Sequence, residues 1–247
     1  VLALAATFLA YEFLFGKLAP YSPVVLGFER HETAHAVVYV EKGHRFSRFG
    51  VIDSCFPKVE AFHGFAFSSR PRIFVFGTRS TYAKRSLSKA RFCAFYNGDI
   101  VISPWAQEEA QKGVISLETY LRHELSHSLL FQRAGMINAY RLPKWLLEGV
   151  AVVSAEQLGT SWYPSKDETY ALIRQGNFMP PRAYETSAED TIALRVPFRN
   201  TFMYSQFACM VGCLIESHGK ETLFRYIGKL VDGEGQNAAF RAAFGAE

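Results

Sequence analysis

The run of apolar and polar positions gives this chain an apolar head, a strand-rich first half and a helical second half. Val1 to Phe15 is apolar except at Thr7, Tyr11 and Glu12, and Gly16-Lys17 ends the run. Leu18-Ala19-Pro20 and Tyr21-Ser22-Pro23 then read as linker. Ala36 to Val40 is β-branched and aromatic and predicts a strand ended by Lys42-Gly43. Phe46, Phe49, Ile52, Phe56, Val59 and Phe62 recur at helical spacing, with Pro57 expected to break or kink that helix. Pro71 to Gly77 predicts a buried strand and Thr81 to Leu87 a short helix. Ala90–Tyr96 and Asp99–Ser103 predict a hairpin turned by Asn97-Gly98. From Ser116 the period becomes helical. Leu117, Leu121, Leu125, Leu129 and Leu130 form an apolar face free of Gly and Pro, and Gly135 reads as the stop. A new helix starts at Leu142-Pro143, since proline suits a first turn. Pro164, Pro180, Pro181 and Pro197 mark residues 159–200 as a long loop with one short helix. Helices over Gln206–Glu216 and Glu221–Val231 follow, parted by His218-Gly219.

Composition narrows this picture. The chain has 247 residues, 49% of them hydrophobic and 20% charged, which suits an ordered protein with one domain of two lobes. A net charge of +4 without a dense basic cluster argues against a nucleic-acid partner. No repeat or low-complexity tract stands out. Of the four cysteines, Cys209 and Cys213 fall one turn apart on one helix and read as packed thiols, while Cys55 and Cys93 have no spacing that pairs them. None has CxxC spacing, which argues against a structural zinc site. Residues 1–19 read as an anchor or signal segment, 20–29 as linker, and 30–247 as the functional domain. The apolar head is shorter than the ~20 residues of a bilayer span, so anchor, secretory signal and buried helix are the competing readings. Membrane association and a membrane-anchored or exported location are expected from it.

The chemistry lies in His123-Glu124-Leu125-Ser126-His127, an HExxH motif on the helix with the leucine face. Four residues make just over one turn, so both imidazoles leave the same face and can share one ion. Glu124 follows the first of them, where a carboxylate can take a proton from a metal-activated water. His31-Glu32-Thr33-Ala34-His35 matches the same pattern but runs into the Ala36–Val40 strand. Residues i and i+4 of a strand lie about 13 Å apart, so this copy reads as accidental.

A catalytic zinc site needs a third protein ligand and one open position. The HExxHxxGxxH solution is excluded, because Leu130 and Arg133 occupy its glycine and third-histidine positions. The alternative is a glutamate on a later helix. Glu148 lies 21 residues after His127 among Trp145, Leu146, Leu147, Val150, Ala151, Val152 and Val153. A carboxylate there is expected to be buried, and a buried carboxylate needs a partner such as zinc. His218 and His63 read as helix-end residues rather than ligands.

HELSH followed by LPKWLLEGVA resembles the gluzincins of the peptidase MA-like group, which includes the aminopeptidase N-like enzymes. The likeness is strong over 116–156 and looser over roughly 30–230. It implies an α+β zincin-like fold, with a small mixed sheet, a central HExxH helix and a helical C-terminal lobe. It also implies one zinc ion on His123, His127 and Glu148, with Glu124 as general base. Tyr204, 56 residues after Glu148, falls where those aminopeptidases carry the tyrosine that stabilises the tetrahedral intermediate. The Lys and Gly that follow that tyrosine in the aminopeptidases are missing here, and Tyr163, Tyr170 and Tyr184 are the substitutes should Tyr204 be a core aromatic. Leu147 replaces the asparagine before the ligand glutamate, and no GAMEN-like stretch precedes HELSH, which argues against aminopeptidase activity itself. The expected function is zinc-dependent hydrolysis of peptide or protein substrates. The alternative is a membrane-anchored binding or scaffold protein that kept the fold and lost turnover, and a zinc hydrolase of non-peptide amides is a third reading.

Overall fold

Strands in the first half show two kinds of patterning, and each finds its place in one sheet. A computed structural model describes residues 2–245 and divides the chain into two compact units, residues 1–133 and 134–247. Among the described residues it is a mixed α+β protein with five strands and eleven α-helices.

The first unit begins with α1 (Leu2–Leu14) and a short 3-10 turn at Ala19–Tyr21. Its strands are β1 (Phe28–Glu32), β2 (Val37–Glu41), β3 (Arg72–Val75), β4 (Phe92–Ala94) and β5 (Ile100–Ile102), in the spatial order β1-β2-β3-β5-β4. The two edge pairs are antiparallel, while β2–β3 and β3–β5 are parallel. β5 is buried at every position and β3 at all but its first, as expected of strands covered on both faces. β2 alternates, with Val38 and Val40 buried and their neighbours half-exposed. Phe28, Phe74, Phe76 and Tyr82 pack edge to face at 5.1–5.8 Å between ring centres.

The helices of this unit are α2 (Phe49–His63), α3 (Arg79–Arg85), α4 (Pro104–Gln111) and α5 (Leu117–Ala134). α2 runs from Phe49 to His63 as one helix, so of the expected break or kink at Pro57 the break does not occur. α4, absent from the sequence reading, has Ser103 as N-cap with its oxygen on the Ala106 N–H, and Pro104 at the first helical position. β1 was also missed, and it starts at Phe28, inside the stretch read as linker. The expected hairpin forms, with strands shorter than read and Gly98 at φ 85° in the turn.

The second unit is helical: α6 (Met136–Ala139), α7 (Lys144–Ser154), α8 (Lys166–Arg174), α9 (Arg199–His218), α10 (Lys220–Val231) and α11 (Gln236–Phe244). Pro143 stands at the N-cap of α7, one position before the expected first turn. A capping box of Ser165 and Glu168 opens α8, the one α-helix within 159–200. Met179, Tyr184, Phe202, Met203 and Phe207 form a core against α9. No disulfide is found among the described residues.

Candidate metal centre

α5 is unusual in burying polar groups on the side that its leucines do not cover. Leu121, Leu125 and Leu129 are fully buried, and Arg122, His123, Glu124, Ser126, His127 and Ser128 are buried as well. Ser116 holds the start of the helix, its hydroxyl oxygen accepting from the Thr119 N–H at 3.2 Å. The Ser128 hydroxyl donates to the Gly98 carbonyl in the hairpin turn at 2.5 Å. Gln132 bonds Ser68 and Ser69.

His63 is more than a helix-end residue. It sits in the last turn of α2, where one ring nitrogen, Nδ1, meets the Val59 carbonyl at 2.9 Å and the other, Nε2, meets the Ser126 hydroxyl at 3.1 Å. A carbonyl can only accept, so Nδ1 carries a proton and donates it to Val59, while Nε2 shares a hydrogen bond with the Ser126 hydroxyl. The position between Glu124 and His127 is thereby tied to α2.

His123 and His127 turn their Nε2 atoms toward each other at 3.1 Å, with ring centres 4.8 Å apart. Two nitrogens bound at 2.0–2.1 Å to one tetrahedral zinc stand about 3.3 Å apart, so this pair already has the spacing of two ligands. His127 stacks on Phe131 at 13° between planes, which fixes its ring. The Glu124 carboxylate accepts from the Ala94 N–H of edge strand β4 at 2.6 Å, so the candidate base is held by main chain.

Glu148 lies half-buried in the middle of α7. Ligand atoms of His123, His127 and Glu148 all lie within 4.8 Å of one another, and this is the one group of its kind among the described residues. Two imidazoles and a carboxylate suit zinc and leave a fourth position open. The second HExxH copy belongs to no three-ligand group among the described residues, and it does not lie on one strand as expected: His31 is in β1 and His35 in the turn before β2. His31 ends against Phe49 and His35 stacks on Phe56, in the hairpin between β1 and β2.

Gly149, next to Glu148, was not recognised in the sequence. A Cβ there would meet the Phe207 carbonyl oxygen of α9 at 2.6 Å and a Val211 methyl at 2.7 Å. This glycine lets α7 lie directly on α9 and so sets where Glu148 is presented.

Tyr204 is in the second turn of α9, which begins at Arg199, well before the expected start. Burial, followed by the Glu148 carboxylate, pushes its phenol well above the ordinary tyrosine range, so it stays protonated and able to donate. Tyr184 faces it, hydroxyl to hydroxyl at 3.3 Å with rings perpendicular. The same two causes raise the Tyr184 phenol. Tyr163 lies 6.5 Å from Tyr204 between ring centres. Two of the three substitute tyrosines therefore cluster with Tyr204.

Comparison with models of known protein families and with curated proteins finds no match. The functional reading accordingly rests on the residues themselves.

Proposed function

We propose that the chain is a zinc metallopeptidase of the gluzincin type, with a zincin-like catalytic fold, that hydrolyses peptide bonds of peptide or protein substrates. The observation that carries this reading is the gathering of His123, His127 and Glu148 within 4.8 Å, with Glu124 on the same helix as the two histidines. A zinc ion held by those three side chains would supply Lewis acidity and lower the pKa of water toward ~7. Glu124 takes the proton from the attacking water and returns it to the amine as the carbon–nitrogen bond breaks, so the carboxylate ends as it began. Its bond to the Ala94 N–H keeps it from swinging away between the two transfers. Tyr204, held protonated, donates to the oxygen that gains charge as the carbonyl carbon becomes tetrahedral.

The test is metal content together with hydrolysis of a quenched-fluorescence peptide library. One zinc per chain is expected, with hydrolysis abolished by chelation and restored by zinc. Glu124→Gln should retain the metal and the melting temperature, because an amide oxygen can still accept from Ala94. It should lose hydrolysis by roughly 100- to 10,000-fold, because an amide does not take the proton. A chain that binds zinc stoichiometrically and cleaves no peptide would sink the peptidase reading. A Glu124→Gln protein with wild-type turnover would remove Glu124 from the chemistry.

A further inference from the structure

We propose that the chain docks on an anionic lipid bilayer through α1, which lies among the acyl chains while Lys17, Lys84 and Lys89 rest on the headgroups. This goes beyond the peptidase reading and does not depend on it. α1 is apolar almost all round and is left in contact with solvent along nearly its whole length. Leu4, Phe8, Leu9, Tyr11 and Phe15 are 77, 65, 51, 56 and 50% exposed. An apolar surface of this kind marks an interaction site, and a helix without a polar face suits lipid better than water.

Two polar side chains of the segment, Thr7 and Glu12, each have a backbone partner close by, which lowers the cost of leaving water. The Thr7 hydroxyl donates to the Ala3 carbonyl at 3.0 Å, and the Glu12 carboxylate accepts from the Lys17 N–H at 2.9 Å. Tyr11, near the C-terminal end of α1, is of the type that sits at headgroup level. Thirteen residues rise about 20 Å, against a hydrocarbon core of about 30 Å. Among the described residues no helix is long and apolar enough to cross a membrane.

Charge selects the kind of lipid. Arg85, the last residue of α3, donates to the Leu14 carbonyl at 3.1 Å and to the Leu26 carbonyl at 2.5 Å. It thereby gathers the end of α1, the segment around Leu26 and the end of α3. Val24, Leu26 and Leu87 there are 51, 37 and 52% exposed, and Lys17, Lys84 and Lys89 are exposed among them. Lysines interleaved with exposed apolar side chains beside an inserted helix match an anionic headgroup layer.

The experiment floats the full chain with vesicles of phosphatidylcholine alone or of phosphatidylcholine with phosphatidylserine. Flotation with both is expected, tighter with the anionic vesicles. Each lysine at the surface is worth about fivefold, so Lys17→Gln/Lys84→Gln/Lys89→Gln should weaken binding to anionic vesicles roughly 100-fold and leave binding to neutral vesicles unchanged. Leu4→Ser/Phe8→Ser should lose both, with an unaltered circular dichroism spectrum because those side chains are exposed. No flotation with either vesicle overturns the proposal, as does equal binding of the lysine variant. A chain that fails to float and elutes instead as a dimer dispersed by Leu4→Ser/Phe8→Ser would make a second copy, not lipid, the occupant of α1.

Discussion

Tyr204 and Tyr184 are the residues whose roles are most easily confused, because they share a hydroxyl contact and the same electrostatic neighbour, Glu148. Under the peptidase reading their elements separate them. Tyr204 is carried on the rigid α9, whereas Tyr184 comes from the loop between α8 and α9. A donor to a developing oxyanion works best when its position is fixed in advance, which favours the helix residue. Tyr204→Phe should lower kcat roughly 100- to 1000-fold at constant KM, since only the transition state loses a bond. Tyr184→Phe removes one long hydroxyl contact and should cost less than about tenfold. Steady-state kinetics of the two variants decides it, and the reverse order of effects would make Tyr184 the donor. The Tyr204 reading came from a resemblance in which only the tyrosine matched. Its pairing with Tyr184 was beyond sequence, because 20 positions of intervening chain with no fixed period separate them.

At the scale of elements, the α7–α9 contact shows what pattern reading finds and what it misses. Both helices were legible, α7 from its nearly continuous apolar run and α9 from its apolar second half. The closeness of their approach was not, because it depends on one missing side chain meeting a carbonyl of the partner helix. Gly149→Ala places a carbon 2.6 Å from the Phe207 oxygen, so α7 and α9 must part. Overpacking of this kind costs about 1–3 kcal/mol, a fall in melting temperature on the order of 3–10 °C for a chain of this size. The better helix propensity of alanine offsets only about 1 kcal/mol of this. Thermal denaturation checks it, and a raised melting temperature would mean that the helices do not touch there. β1 escaped the sequence reading for a related reason. Its residues Phe28–Glu32 contain one apolar side chain, because an edge strand facing water needs no hydrophobic alternation. α4 did carry its signal, Ser103-Pro104, but the end of the preceding strand lies directly against it.

For the whole molecule, the local parts of the candidate site were the legible ones. His123, Glu124 and His127 follow from helical spacing alone, and Glu148 from the improbability of a carboxylate in an apolar helix. The supports of α5 were not, since His63 and Ala94 reach it from about 63 and 30 positions away. Long-range ties also govern the response of the fold to acid. Lys58 of α2 pairs with Glu118, in the first turn of α5, at 2.5 Å. Its hydrogen bond and charge hold the Glu118 carboxyl below the usual glutamate range. Bonds from Ser165 do the same for Glu168, and Arg30 with Arg70 does so for Glu32. A depressed carboxylate contributes stability above its unfolded pKa of about 4.3, and loses that contribution as pH falls through the lower folded value. Asp99 has the opposite sign. Burial outweighs its bonds to Arg72 and raises its carboxyl, so it favours the fold at pH below its ordinary range and stops doing so as pH rises through the raised value. The acid-sensitive part of stability is therefore assigned to the glutamates. Glu118→Gln should melt on the order of 1–2 °C below the wild type at pH 6, a small gap because the pair is partly exposed. Once pH falls below the lowered folded value, where Glu118 is neutral in both states of the wild type, the gap should close. Melting curves of both proteins from pH 6 to 2.5 measure it. A gap of constant size across that range would show that the Lys58–Glu118 pair contributes through packing, not charge.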